Sequence, residues 1–138
     1  MISYDVVTMG GGLAGATLAK SLAERGVRVL VIEREREFKD RIRGEQMQPW
    51  GVAEARALGV YQLLHDACGH EQPWIDMFLG PAQIAHRDLT VTTPHAAPHF
   101  NFYHPRMQEA LLGAAITAGP TCGVARRSRK YAAGRSRW

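Results

Sequence analysis

The sequence has little cysteine and no long apolar run. Cys68 and Cys122 are its only cysteines, and they lack the C-x-x-C spacing of a metal or redox motif. This usage is typical of reduced thiols, and no basic, apolar secretion signal opens the chain, so we expect a cytoplasmic protein. No run of 18 apolar residues is present, so we expect no membrane-spanning helix.

Acidic residues are absent from 120–138, which carries six basic residues: Arg126, Arg127, Arg129, Lys130, Arg135 and Arg137. Subtracting these six from the formal net charge of +4 leaves −2 for residues 1–119. The basic balance therefore belongs to the tail alone and gives no support to a nucleic-acid partner for the whole chain. One short strand is expected at 121–125, and the rest of 120–138 is expected to be disordered or the product of a frameshift.

Residue clusters typical of a metal site are also missing. His95, His99 and His104 lie in an irregular stretch with no cysteine or carboxylate cluster and no H-E-x-x-H motif. We therefore expect no metal ion, and no catalytic acid, base or nucleophile can be assigned from spacing.

The strongest positive feature is a glycine turn between an apolar run and a helical pattern. Gly10, Gly12 and Gly15 form G-x-G-x-x-G directly after the apolar residues 6–9. The first glycine permits a tight turn, the second allows close backbone approach to a pyrophosphate, and the third lets helix and strand pack closely. The N–H groups of Leu13 and Ala14 then open the helix, where anions bind favourably.

The helix is predicted to run to Arg25, with Gly15, Leu18, Ala19 and Leu22 on the face toward a sheet. A second apolar run, 27–32, ends on Glu33, which lies 18 residues after Gly15. A carboxylate at this distance accepts hydrogen bonds from ribose hydroxyls and repels a 2′-phosphate. The site therefore favours FAD or NAD over NADP.

The remaining pattern predicts alternating helices and strands. The expected elements are a charged loop at 35–46, a helix from Pro49 to Gly59, a short helix over 60–69, strands over 74–79, 82–92 and 99–103, and a helix from Pro105 to Gly119.

Four features together resemble the N-terminal part of the class A flavoprotein monooxygenases related to para-hydroxybenzoate hydroxylase. They are the glycine turn extended to Ala19, Glu33-Arg34, Arg43-Gly44-Glu45 followed by Gln48-Pro49, and Pro105-Arg106 followed by a helix to Ala118-Gly119. The resemblance implies an α/β fold with an incomplete Rossmann-type parallel sheet. It also implies an FAD-binding domain at 1–119, in which 74–103 begins a substrate-side β layer, and a separate tail at 120–138.

The same resemblance implies a set of cofactor contacts. Gly10, Gly12 and Gly15 would cradle the FAD pyrophosphate, and Glu33 would hold the adenosine ribose with Arg34 near the adenine. Arg43 would lie beside the flavin side, and Arg106 would contact the phosphate–ribityl region. A guanidinium fork matches phosphate geometry, which suits these arginines to FAD.

The activity implied is hydroxylation of an aromatic or apolar small molecule with NAD(P)H and O₂. The family's later Asp-Gly and Gly-Asp segments are missing, since neither dipeptide occurs here. We therefore expect a truncated chain with little or no turnover. Two alternatives stay open: a non-catalytic module that binds FAD or its adenosine half, and an NAD-linked dehydrogenase domain.

Overall fold

The structure, a computed structural model, describes residues 3–41, 45–119 and 122–126. In chain order the elements are β1 (Val6–Met9), α1 (Leu13–Ala23), β2 (Val29–Glu33), β3 (Gln46–Met47), α2 (Pro49–Ala57), α3 (Tyr61–Cys68), β4 (Gly69–Gln72), β5 (Trp74–Leu79), β6 (Ala82–Asp88), α4 (Leu89–Thr92), β7 (His99–Phe102), α5 (His104–Thr117) and β8 (Cys122–Arg126). Among the described residues, no helix is long and apolar enough to cross a bilayer.

The first of two compact units contains the described residues 3–39, 111–119 and 122–126. Its sheet is parallel, in the order β1-β2-β8, and Val6 pairs with Val29 while Val29 pairs with Cys122. The alternation of buried Val29, Val31 and Glu33 with half-buried neighbours follows the two-residue period of a strand. This sheet confirms the predicted Rossmann-type α/β fold, and β8 confirms the short strand predicted at 121–125.

Helix α1 packs against all three strands of this sheet, but not with the whole of the face predicted. Its buried residues are Ala16, Thr17, Ala19 and Ala23. Of the predicted face, Ala19 is buried and Gly15 packs against the turn, but Leu18 is 49% exposed, so the prediction was wrong at Leu18. Alanine side chains allow the helix to lie close to the sheet, and the longer leucines are displaced toward its sides.

The second unit contains the described residues 40–41 and 45–110. It holds an antiparallel sheet in the order β3-β7-β4 and a separate hairpin of β5 and β6. Its largest fully buried side chains are Phe100, Leu64, Met107, Val52 and Val60. Phe100 lies on the central strand β7, so the core of this unit is built on the middle of its larger sheet.

Most predicted elements of the second unit are present, with three differences. The short strands β3 and β4 were not predicted, because what defines them is backbone pairing with the distant strand β7 and not a sequence pattern of their own. The strand predicted over 82–92 ends at Asp88, whose carboxylate accepts a hydrogen bond from Thr90 N (2.8 Å) and caps α4.

Candidate cofactor-binding turn

The turn after β1 requires a residue that can adopt a left-handed backbone conformation. Gly10 has φ +98°, a region that side chains rarely adopt. Its N–H donates to Ile32 O on the neighbouring strand at 2.8 Å. The turn therefore starts as an extension of the parallel ladder and then reverses toward α1.

A glycine is needed at position 15 because there is no room for a Cβ, and not because of its backbone angles. A Cβ at this position would lie 2.0 Å from Gly10 O and 3.2 Å from Gly10 C. Helix α1 thus packs its first turn directly against the carbonyl of Gly10, as predicted for the third glycine of the motif. No side chain larger than hydrogen fits without moving the turn.

The N-terminus of α1 is open. Gly12 is the N-cap residue, with extended backbone angles (φ −76°, ψ −171°) and no side-chain cap, and Ala16 N donates to Gly12 O at 2.9 Å. Leu13 and Ala14 follow in exposed positions. The first N–H groups of a helix have no intrahelical acceptor and carry the positive end of its dipole, so this end favours an anion.

Glu33 ends β2 beside this turn. The residue is 7% exposed, and its Oε2 accepts a hydrogen bond from Gly11 N at 2.6 Å. Its Oε1 accepts another from Glu35 N at 2.7 Å. Because an ionised carboxylate has about four acceptor positions, these two bonds fix its orientation and leave capacity for ribose hydroxyls.

Gly11 is a site residue that the motif alone does not single out. A Cβ there would lie 3.2 Å from Glu33 Oε2 and 3.3 Å from Leu112 Cδ1. The motif leaves this position unspecified, although the run of three glycines is a signal that a small residue is needed here. Its small size lets the main chain reach the Glu33 carboxylate.

The structure describes two of the three arginines predicted to contact the cofactor. The Arg34 side chain is 67% exposed, and its Nη2 lies 3.2 Å from Glu35 Oε1. Arg106 lies in the first turn of α5, in the second unit, and is exposed. Arg43 lies outside the described residues. Thus the structure brings Glu33 beside the turn and helix start formed by Gly10, Gly12, Leu13, Ala14 and Gly15. The roles of the arginines stay predictions.

A groove of about 470 Å³ lies in the second unit, lined by Glu45, Cys68, His70, Asn101, Phe102 and Tyr103. Burial raises the pKa of the Cys68 thiol, and the same holds for Cys122 on β8. Both are therefore protonated near neutral pH, which argues against a thiolate nucleophile in either place.

Comparison with known proteins places this geometry in a family. Residues 3–126 match the family model described as "FAD binding domain". Among curated relatives, the chain is 45% identical over 69 residues to a squalene monooxygenase of Eremothecium gossypii, covering 49% of this chain and 14% of that protein. It is 36% identical over 83 residues to a squalene epoxidase of Saccharomyces cerevisiae, covering 60% and 17%.

Solved structures with a similar fold include two bacterial proteins. PqsL of P. aeruginosa, in complex with 2-aminobenzoylacetate, has a TM-score of 0.74 at 18% identity, over 89% of this chain and 33% of that chain. The p-nitrophenol 4-monooxygenase PnpA of Pseudomonas putida has a TM-score of 0.72 at 22% identity, over 88% and 31%. The chain thus spans about a third of these proteins, and from the match over 3–126 it belongs to the family of FAD binding domains.

Proposed function

We propose that this chain is the FAD-binding part of a flavin-dependent monooxygenase that oxygenates an aromatic or apolar small molecule with NAD(P)H and O₂. The observation that carries the proposal is the uncapped start of α1 beside the buried Glu33 carboxylate. The monooxygenases and epoxidases among its relatives support the reaction class.

The residues of the turn suit the ADP half of FAD. The open N–H groups at Leu13 and Ala14 would meet the pyrophosphate, and the Gly12 backbone allows close approach because it has no side chain. Glu33, held by Gly11 and Glu35, would accept hydrogen bonds from the adenosine ribose. A tightly packed Gly15 keeps this cradle rigid.

The three arginines would add charge complementarity. Arg34 would lie near the adenine, while Arg43 and Arg106 would serve the flavin side and the phosphate–ribityl region. FAD, when bound, would supply the redox chemistry that links NAD(P)H and O₂. The protein's own contribution is to bind and orient the cofactor.

The proposal is tested by titrating the purified chain with FAD, ADP and NAD while following thermal unfolding. A ligand that binds only the native state raises its stability, so FAD should raise the melting temperature, ADP should do so less, and NAD least. Glu33→Ala should weaken FAD and ADP by about 5- to 100-fold, because it removes the carboxylate that would accept hydrogen bonds from the adenosine ribose.

Glu24→Ala is the matched control, since this exposed glutamate at the other end of α1 pairs only with Lys20 among the described residues. It should leave both affinities unchanged. A larger shift with NAD than with FAD would support the dehydrogenase alternative. FAD binding without substrate-dependent NAD(P)H oxidation would support the non-catalytic module instead.

A further inference from the structure

Asp76 and His86 face each other across the hairpin of β5 and β6. They are directly paired in the antiparallel register, and Asp76 Oδ1 lies 2.6 Å from His86 Nδ1. Directly opposite residues of an antiparallel pair project from the same face, which explains the short contact. The same carboxylate oxygen accepts a second hydrogen bond, from Gln83 Nε2 at 2.7 Å. The Asp76 carboxylate is therefore held by two side chains of the neighbouring strand.

A β-bulge brings Gln83 to this face of the hairpin. The register shifts after Met77, so that Phe78 pairs with Gln83, and Ile84 is left without a partner in the ladder. One extra residue in a strand re-aims the side chains beyond it. Without the bulge Ile84 would lie opposite Phe78, and an apolar side chain would replace the amide that bonds the carboxylate.

The orientation of the His86 ring is set by Trp74 as well as by Asp76. The indole and the imidazole are stacked, with ring centroids 4.6 Å apart and planes 3° apart. Trp74 lies on the same face because it precedes Asp76 by two residues in β5. The stacking fixes the plane of the imidazole, and the contact at Nδ1 fixes its rotation within that plane.

These contacts decide which nitrogen of His86 is free. An ionised carboxylate accepts hydrogen bonds and has none to donate, so Nδ1 carries the hydrogen. In the neutral ring Nε2 then holds the lone pair. None of the described residues bonds to Nε2, and 57% of the side chain is exposed. The hairpin thus presents a nitrogen lone pair that a ligand can reach.

We propose that Asp76 and His86 form an acid–base dyad, in which His86 Nε2 takes a proton from the O–H group of an aromatic or apolar ligand. The O–H bond of the ligand breaks, an Nε2–H bond forms, and the electron pair stays on the ligand oxygen. Asp76 is the positioning residue, because it holds the tautomer and its charge stabilises the imidazolium. The step needs no group outside the hairpin, so this inference does not rest on the proposed function.

Two aromatic side chains favour a ligand with an aromatic or apolar body. Trp74 is 45% exposed and Phe78 is 62% exposed. They lie two residues before and two residues after Asp76 in β5, on the face of the dyad. Apolar surface beside a few fixed polar groups is typical of small-molecule sites, where burial supplies affinity and the polar groups set orientation.

The charges of the hairpin favour a neutral hydroxyl over a carboxylate. Its two acidic residues, Asp76 and Asp88, share the face of His86 by alternation. Its only arginine, Arg87, lies on the opposite face, and its Nε donates to Thr92 Oγ1 at 2.7 Å. A ligand carboxylate would therefore meet negative charge without a compensating cation from the hairpin.

The tautomer of His86 is tested on the wild-type protein by long-range proton–nitrogen correlation spectra. The protonated nitrogen should be Nδ1, and an Nε2–H tautomer in the wild type would overturn the proposal. Asp76→Ala should shift the population toward Nε2–H, because the acceptor for Nδ1–H is removed. His65 is the matched control, since its Nδ1 lies a longer 3.3 Å from Asp66 Oδ1. Asp66→Ala should shift the His65 tautomer much less.

Proton transfer is measured with 4-nitrophenol, whose anion is yellow and whose neutral form is nearly colourless. At a pH where the free phenol is mostly neutral, wild-type protein should increase the absorbance of the anion. His86→Gln should reduce this increase by about 10-fold, because the proton acceptor is lost. Asp76→Asn keeps an acceptor oxygen but loses the charge, and should reduce it by about 3-fold for so exposed a pair. His65→Gln should leave it unchanged.

A pair that only stabilises the hairpin would affect unfolding but would produce no nitrophenolate. Wild-type protein that forms no more anion than His86→Gln would therefore overturn the proposal, as would equal losses in His86→Gln and His65→Gln. Far-UV circular dichroism checks that the variants fold, and the two wild-type measurements need no substitution. FAD titration of the same protein tests the proposed function separately, since failure to bind FAD with an intact dyad signal would refute that function alone.

Discussion

At the scale of single residues, the glycines of the turn are needed for three different physical reasons. Gly10 has a positive φ, Gly15 has no room for a Cβ, and Gly11 brings its N–H to the Glu33 carboxylate. The effect of a substitution therefore depends on which glycine is changed. A side chain at position 10 would strain the backbone, one at position 15 would overlap a carbonyl, and one at position 11 would displace the Glu33 carboxylate.

Gly15→Ala should destabilise the protein by about 1–3 kcal/mol, because the new methyl group overlaps the Gly10 carbonyl. Gly113→Ala is the matched control on α5, where a Cβ meets nothing within 4 Å. That change should stabilise by about 0.5–1 kcal/mol, since alanine loses less backbone entropy in a helix. Urea unfolding followed by far-UV circular dichroism measures both, and equal effects would contradict the packing described for Gly15.

Asp5 provides a pH-dependent contribution at the residue scale. Hydrogen bonds from the Arg28 side chain, and then from its backbone N–H, lower the pKa of Asp5 from 3.8 to about 2. Because the folded-state pKa is lowered, the stabilisation is present above about pH 4 and is lost as the pH falls toward 2. Asp5→Asn should therefore be less stable than wild type at neutral pH, by a small amount for so exposed a pair.

The difference in melting temperature between wild type and Asp5→Asn should shrink between about pH 4 and pH 2. In an Arg28→Ala background the same substitution should have a smaller pH-dependent effect in this range, because the guanidinium is missing and only the backbone N–H of residue 28 still donates to Asp5. A difference that stays constant down to pH 2 would show that the Arg28 contact does not set the Asp5 pKa.

At the scale of elements, α1 shows how packing selects one helix face among several that the sequence allows. Leucines at 18 and 22 and alanines at 16, 19 and 23 each follow a helical period. The structure buries the alanines and leaves Leu18 half exposed. Close approach of α1 to the parallel sheet and to the Gly10 carbonyl decides this orientation, because large side chains would hold the helix away.

Ala19→Leu should therefore destabilise by about 1–3 kcal/mol, since it adds volume to a position with 0% exposure. Leu18→Lys, one residue earlier, should change stability by less than about 0.5 kcal/mol. Chemical unfolding of the two variants in parallel tests which face of α1 is buried. If Leu18→Lys were the more damaging change, the face predicted from the leucine pattern would be the correct one.

At the scale of the whole molecule, the chain contains two units built on different sheets. The first has parallel strands and a glycine turn, and the second has antiparallel strands and a groove. The family match extends over both, from residue 3 to residue 126. The match includes β8, so the strand at 122–126 belongs to the matched region. The domain boundary placed between residues 119 and 120 stays a prediction.

Much of the fold and of the cofactor turn could be predicted from the sequence. The glycine spacing, the strand on each side and Glu33 at the end of β2 are local features, and the structure shows all of them in one turn. The helices starting at Pro49 and near Pro105 also follow from local signals, because proline favours the first turn of a helix. The predicted arginine contacts do not follow in this way, since nothing local fixes where an exposed guanidinium binds.

The sequence by itself determined the fold class, the FAD-type turn and the acidic residue beside it, because each depends on residues close together in the chain. Only the tertiary structure decided the rest: which face of α1 is buried, that Gly11 binds Glu33, that β3 and β4 pair with β7, and that Glu45 caps α5. These contacts join residues that are distant in the chain or choose between equal local patterns. They depend on backbone hydrogen bonds and packing space that no local periodicity records.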